Sequence, residues 1–302
     1  METGAVSRFN AFLMFVLILF WGSSFVVVRM VLMEGLTPIA IATFRFLVAG
    51  GLFLVAILLE RKRVKDYGLF VEKKDFPRLI LLAFTGVTFF FTAQYTGIKM
   101  AGASIAAIFV CLLAPIFITI LSAKLFKERL VKRQVFGVGM AAVGTFIVIM
   151  GGSVSLQTNQ QFFLGSLILL STPILWATYS LLGKSMMEKY SPFIVVAYVN
   201  MLGGLFLIPI SLAEGSFSQI FTMSVHGWMA IMFLAVTCSF FGYYIWFYVI
   251  KKVGAAVTSS FMFAEPLITA LFAIAFVGEE LSPFVIVGGC LIFIGVYLVT
   301  KK

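Results

Sequence analysis

The fold class predicted for this chain is an all-α membrane protein, with ten transmembrane helices in two inverted five-helix repeats around a central cavity. Three observations predict it. The 302 residues are 62% hydrophobic and only 11% charged, against about 25% charged in soluble domains, and the mean hydropathy is +1.12. The apolar residues fall in ten stretches, each near the ~20 residues that a helix needs to cross a bilayer. The second half of the chain also repeats the first.

The stretches run roughly over 11–33, 38–59, 77–95, 102–123, 134–151, 162–183, 192–212, 227–249, 254–277 and 284–300. The first follows Arg8 and is about 23 residues long, longer than the ~7–15-residue core of a signal peptide. It is expected to stay in the mature protein. Most connections are short; the charged segment Glu60 to Arg78 and the uncharged segment Gly151 to Gln161 are the longer ones. With the N-terminus inside, ten alternating crossings place nineteen Lys and Arg residues inside and Lys99 alone outside. Basic residues favour the cytoplasmic side, so both termini are expected in the cytoplasm and the protein in the plasma membrane.

The same bias accounts for the net charge of +10 without a nucleic-acid partner. Cys111, Cys238 and Cys290 lie inside apolar stretches without CxxC spacing, and His226 is the only histidine. That composition points to no metal site, no disulfide framework and no Ser-His-Asp chemistry. No GxxxxGK[ST] phosphate loop occurs, so neither ATP nor another cofactor is expected.

The duplication is read from matched residues. Trp21-Gly22-Ser23-Ser24 aligns with Trp176-Ala177-Thr178-Tyr179, and Arg29 with Lys184, at an offset of 155. Pro115, Glu128, Gly137 and Gly144 match Pro266, Glu279, Gly288 and Gly295 at an offset of 151. The halves are assigned to residues 1–155 and 156–302. Five crossings per half is an odd number, so the second half enters the membrane upside down. Such inverted repeats place a substrate site near mid-membrane between the copies.

Glu265, followed by Pro266, lies at the centre of span nine, where a carboxylate costs about 2.5–3.5 kcal/mol on insertion scales and marks a functional site by default. Pro266 cannot donate to the carbonyl of Met262, so a kink is expected beside the acid. The first-half counterpart of Glu265 is Ala114, so the acid belongs to one half alone. It is read as binding a cationic or hydroxyl-bearing substrate or exchanging a coupling proton, with helix packing as the alternative. Arg45 lies about 10 Å into span two at 1.5 Å per residue, placed to hold a carboxylate or to pair with Glu265. Arg29, four residues from its span's end, is placed to snorkel. Trp21, Ser24, Trp176 and Tyr179 sit at matched mid-span positions, and aromatic walls with a few polar groups describe a small-molecule pocket. Gln94, Tyr95, Asn200, Tyr243 and Tyr244 are candidates for further polar contacts. Small hydroxyls such as Ser23 and Thr178 equally serve helix packing.

Several of these segments together resemble the EamA-like branch of the drug/metabolite transporter superfamily. They are Trp21-Gly22-Ser23-Ser24-Phe25, Arg45-Phe46-Leu47, Tyr95-Thr96 through Pro115 to Phe126-Lys127-Glu128-Arg129-Leu130, and Gly254-Ala255 through Glu265-Pro266 to Gly278-Glu279-Glu280-Leu281. The resemblance covers nearly the whole chain. It implies inverted repeats around a cavity and export or exchange of small metabolites, often amino acids or related compounds. Ser24 stands where many relatives carry Asn, so substrate preference does not transfer. The expected function is a secondary transporter working by alternating access, with spans five and ten bracing the bundle. The expected partners are a small-molecule substrate, a coupling proton and the bilayer, with one chain sufficient to form the cavity. The alternatives are a passive channel or membrane scaffold and, from another class, an intramembrane lipid-modifying enzyme.

Overall fold

In a computed structural model, residues 7–63, 71–125, 132–155 and 160–300 are described. Glu128 and its surrounding segment Phe126 to Leu130, the division at 155/156, and Lys65, Lys301 and Lys302 lie outside them. The described residues form ten helical units: α1 (Arg8–Met33), α2 (Pro38–Arg63), α3 (Lys73–Ala101), α4 (103–125) and α5 (Lys132–Ser155). They continue with α6 (Gln160–Met186), α7 (Pro192–Glu214), α8 (Val225–Val253), α9 (255–277) and α10 (Pro283–Thr300).

Six of them, α1, α2, α3, α6, α7 and α8, are long and apolar enough to cross a membrane, and the other four contain shorter apolar stretches. Large apolar side chains such as Phe15, Leu58, Phe146, Leu271 and Phe276 stand exposed on the outside, a surface suited to lipid rather than water. The chain is a multi-pass membrane protein.

Local chemistry sets several boundaries. Ser7, Ser191 and Ser224 accept from the backbone N–H groups of Asn10, Ile194 and Gly227 and so cap α1, α7 and α8. Pro192 opens α7, where its missing N–H costs nothing. The chain leaves α3 and α8 through Gly102 and Gly254, at φ +96° and +88°, a conformation that residues with a Cβ rarely adopt. These two glycines occupy corresponding places in the halves, 152 residues apart. Glu279, at the end of α9, accepts from Ala103 N at 2.6 Å and Ser104 N at 3.0 Å. It therefore caps α4 from the other half of the molecule, with its charge at the positive helix end.

The strongest trace of the duplication is the packing of α5 on α10. A Cβ added to Gly144 would stand 2.6 Å from the Gly288 carbonyl oxygen, and one added to Gly295 2.5 Å from that of Gly137. The contact numbers rise on one helix as they fall on the other, so the helices are antiparallel. Exchanging each glycine for its repeat mate turns one contact into the other. A twofold relation across this helix pair has this property, and two inverted copies would produce it. Backbones this close leave no space for side chains, which is how small residues drive helix association in membranes.

Hydrogen bonds also join the halves at both ends. At one end Lys189 pairs with Asp75 at 2.8 Å and with Glu72 at 2.5 Å, and Tyr190 Oη donates to Asp75 at 2.8 Å. Lys189 is held above the ordinary lysine range, chiefly by its bond to Asp75 and then by that to Glu72. Glu72 is held below the usual carboxylate range, chiefly by Lys189 and then by Lys74. The tie therefore stays charged throughout the neutral pH range. At the other end Ser224 Oγ donates to Glu34 at 2.6 Å and Thr37 Oγ1 to Glu214 at 3.0 Å.

Replacing Gly288 by leucine should force α5 and α10 apart and lower stability by about 1–3 kcal/mol. Gly139, with nothing within 4 Å of an added Cβ, should accept alanine with no loss. Thermal unfolding of the two variants in detergent checks the contrast.

Candidate functional site

Between the halves lies a cavity of about 40 Å³, lined by Trp21, Ser24 and Phe25 of α1, Arg45 of α2, Phe90, Phe91 and Gln94 of α3, and Val110 of α4; the other half contributes Trp176 of α6, Tyr243 of α8, and Met262 and Glu265 of α9. Its lining thus includes helices one to four, six, eight and nine. Residues of α5, α7 and α10 are not among its lining residues.

Four helices lose their α geometry around this cavity. α3 forms a π turn at Phe84–Thr88, α4 at Ile108–Leu112 and α8 at Leu234–Phe241, while α9 forms a 3-10 turn at Phe261–Ala264. Pro266 follows that last turn at the start of the α-helix Glu265–Val277, so the expected kink takes the form of a short tightened turn. Pro115 likewise follows the π turn of α4. Such turns change the register of the backbone hydrogen bonds, and the bilayer supplies no water to carbonyls turned out of the helix. Side chains from the opposite half fill the gap. Trp21 Nε1 donates to Cys238 O at 3.0 Å, and Tyr243 Oη donates to Gly86 O at 2.8 Å.

Glu265 is 2% exposed and sits in the first turn of its helix segment, where the helix dipole favours negative charge. Cys111 Sγ donates to its Oε2 at 3.1 Å. Thr269 Oγ1 donates to Gly22 O at 2.8 Å, which fixes the start of α9 against α1. Arg45 is also 2% exposed. Its Nε donates to Ser239 Oγ at 2.7 Å and its Nη1 to Tyr95 Oη at 2.5 Å. The guanidinium lies 4.5 Å from the ring centre of Phe91 and 5.1 Å from that of Phe46, within cation–π range. Among the described residues neither Arg45 nor Glu265 forms an ion pair. The expected alternative of a direct bridge between them is not what the structure contains: both charges line one cavity, each held by neutral neighbours.

The other candidates divide by place. Trp21, Ser24, Gln94 and Trp176 line the cavity with the two charges. Tyr95 stands behind Arg45 as its hydrogen-bond partner. Tyr179 packs on Trp176, ring centres 5.2 Å apart. Asn200 is buried on α7 and donates to Val196 O in its own helix, and Tyr244 is partly exposed beside Phe193 and Tyr248. Neither is among the lining residues. Ser23, Ser24 and Thr178 donate to carbonyls of their own helices. Arg29 donates to Ile98 O and Lys99 O at the end of α3, so the expected snorkelling side chain ties α1 to α3.

Cys111, Ser239, Phe90, Phe91 and Met262 were not legible as site residues. Cys111 and Met262 are repeat mates at the offset of 151 just before the two matched prolines, the one signal that marked their level. The central aromatics form a cluster in which Trp21, Trp176, Tyr243 and Trp246 touch at centroid separations from 5.4 to 6.2 Å. Gln94 Oε1 and Trp176 Nε1 are buried without a hydrogen-bond partner, a state that costs about 1–3 kcal/mol per group. The cavity thus brings together one guanidinium, one carboxyl group, and an unsatisfied donor and acceptor between aromatic walls.

Comparison with known proteins places this arrangement. The model of the EamA-like transporter family matches the chain twice, over residues 8–150 and 163–301. An uncharacterized transporter of Archaeoglobus fulgidus is 30% identical over 284 residues, 94% of each chain. A probable amino-acid metabolite efflux pump of Salmonella typhimurium is 25% identical over 97% of this chain and 95% of its own. A probable terminal-alkyne amino-acid exporter of Streptantibioticus cattleyicolor is 23% identical over 76% of this chain and 74% of its own. A crystal structure sharing 19% identity superposes with a TM-score of 0.65 over 97% of this chain and 98% of that one, a likeness of fold.

The double bond from Arg45 is the part of the site most easily tested for stability. Tyr95→Phe leaves a buried, charged donor short of a partner and should destabilise the protein by about 1–3 kcal/mol. Thermal unfolding in detergent gives the value, and Ser239→Ala should lower the midpoint in the same direction.

Proposed function

Because the chain belongs to the EamA-like transporter family, we propose that it is a secondary transporter that exports an amino acid or related small metabolite by alternating access. The observation that carries this reading is the pair of buried charges, Arg45 and Glu265, lining one cavity without an ion pair between them. Arg45 would take the carboxylate, since a guanidinium presents paired donors to two oxygens. Glu265 would take the ammonium group or a coupling proton. Trp21, Trp176, Phe25, Phe90 and Phe91 would enclose the apolar part, with Ser24 and Gln94 adding polar contacts.

The export direction and the substrate class are supported by the names of two relatives, an amino-acid metabolite efflux pump and an amino-acid exporter. Alternating access is supported by the twofold packing of α5 on α10 and by ties between the halves at both ends. In this reading all ten helical units cross the plasma membrane, residues 1–155 and 156–302 are the two repeats, both termini are cytoplasmic, and one chain encloses the substrate. Space for water-sized centres in the cavity is about 40 Å³, room for about three waters at ~10–15 Å³ each. Binding an amino acid therefore requires the walls to part, as expected for an occluding carrier.

The protein reconstituted in liposomes should accelerate uptake of at least one member of a panel of radiolabelled amino acids when the same unlabelled compound is inside. Glu265→Gln should lower this counterflow at least about tenfold, ~1.4 kcal/mol, and flatten its dependence on pH. Wild-type flux without counterflow acceleration would indicate a channel. Full counterflow in a folded Glu265→Gln variant would remove the acid from the mechanism.

A further inference from the structure

The two indoles at the centre occupy matched places but differ in their bonding. Trp21 and Trp176 correspond at the offset of 155, and the carbonyl that Trp21 holds, Cys238 O, corresponds to Gly86 O at the offset of 152 that also relates Gly102 to Gly254. Both carbonyls belong to π turns, in α3 and α8. The symmetric partner of the Trp21–Cys238 bond is therefore a bond from Trp176 Nε1 to Gly86 O. It is not made: Tyr243 Oη holds Gly86 O instead, and Trp176 Nε1 is buried without a partner.

Inverted repeats that rock between two openings exchange the conformations of their halves. The exchange reverses which member of each matched pair is bonded. We infer that Trp21 and Trp176 form a conformational switch. In the state described, Trp21 holds Cys238 O and Tyr243 occupies Gly86 O. In the opposite state Trp176 takes Gly86 O from Tyr243 and the Trp21 indole is released. The residue matching Tyr243 in the first half is Phe91, which has no hydroxyl to hold Cys238 O once Trp21 lets go. The opposite state therefore makes one of these hydrogen bonds fewer, which favours the described state. Trp21, Trp176 and Tyr243 act as positioning residues for the conformational step, and the inference rests on alternating access.

Beside the ends of α1, α3 and α9 the structure has another cavity, about 360 Å³, lined by residues including Arg29, Ala101, Ser104 and Glu279, and in this inference it is the mouth that is open in the described state. Ala101 is half-buried there, and Ala101→Cys provides a reporter whose labelling by a membrane-impermeant maleimide, over the wild-type background, measures how often that mouth is open. Trp21→Phe and Tyr243→Phe each remove a bond of the described state and should slow labelling about two- to tenfold, the population shift of one hydrogen bond. Trp176→Phe removes the bond of the opposite state and should leave labelling equal or faster. A merely structural role would move all three in one direction. Slower labelling in Trp21→Phe and Tyr243→Phe but not in Trp176→Phe, with counterflow retained in wild type, supports the switch. Slowing in all three, or in neither Trp21→Phe nor Tyr243→Phe, with counterflow retained overturns it and leaves the transporter standing, whereas wild-type flux without counterflow overturns alternating access and the switch with it.

Discussion

Hydrocarbon offers no hydrogen bonds, so a backbone carbonyl released by a broken helix must find a partner inside the protein. The centre of this molecule is arranged around that requirement. Three π turns and one 3-10 turn interrupt α3, α4, α8 and α9 at the cavity, and aromatic side chains from the facing half donate to a carbonyl in each of two π turns, Gly86 O and Cys238 O. The same aromatics become the cavity wall. The candidate site and these backbone contacts are therefore one structure, and a change in either disturbs the other.

The two buried charges follow the same logic. Arg45 is held by a serine and a tyrosine hydroxyl and by two phenyl faces, Glu265 by a thiol and a helix start. Neutral partners orient a charge without cancelling it. An Arg45–Glu265 bridge would have been self-sufficient and would have had to break before either group met a ligand. Breaking a buried pair is costly because each charge is left uncompensated.

Much of the helical, membrane-protein character was legible along the chain because hydrophobic length acts residue by residue. The matched pairs Gly137/Gly288 and Gly144/Gly295 announced a duplication, and the folded protein uses them where α5 meets α10. Glu265 and Arg45 stood out by their cost alone, and both line the cavity. Asn200 and Tyr244 met the same criterion of a polar group in an apolar stretch but sit away from it. A residue's depth follows from its place in the sequence, while the direction its side chain faces depends on helix rotation.

The order of residues determined a membrane protein made of two related halves, with one unmatched mid-span acid in the second. Folding decided what those halves do at their meeting point. No local pattern marks where a helix widens into a π turn, since the stabilising partner of Gly86 lies 157 residues away in Tyr243 and that of Cys238 lies 217 residues away in Trp21. The asymmetry between Trp21 and Trp176, identical residues at matched positions, is likewise a property of the packed core: one indole reached its carbonyl and a tyrosine reached the other first.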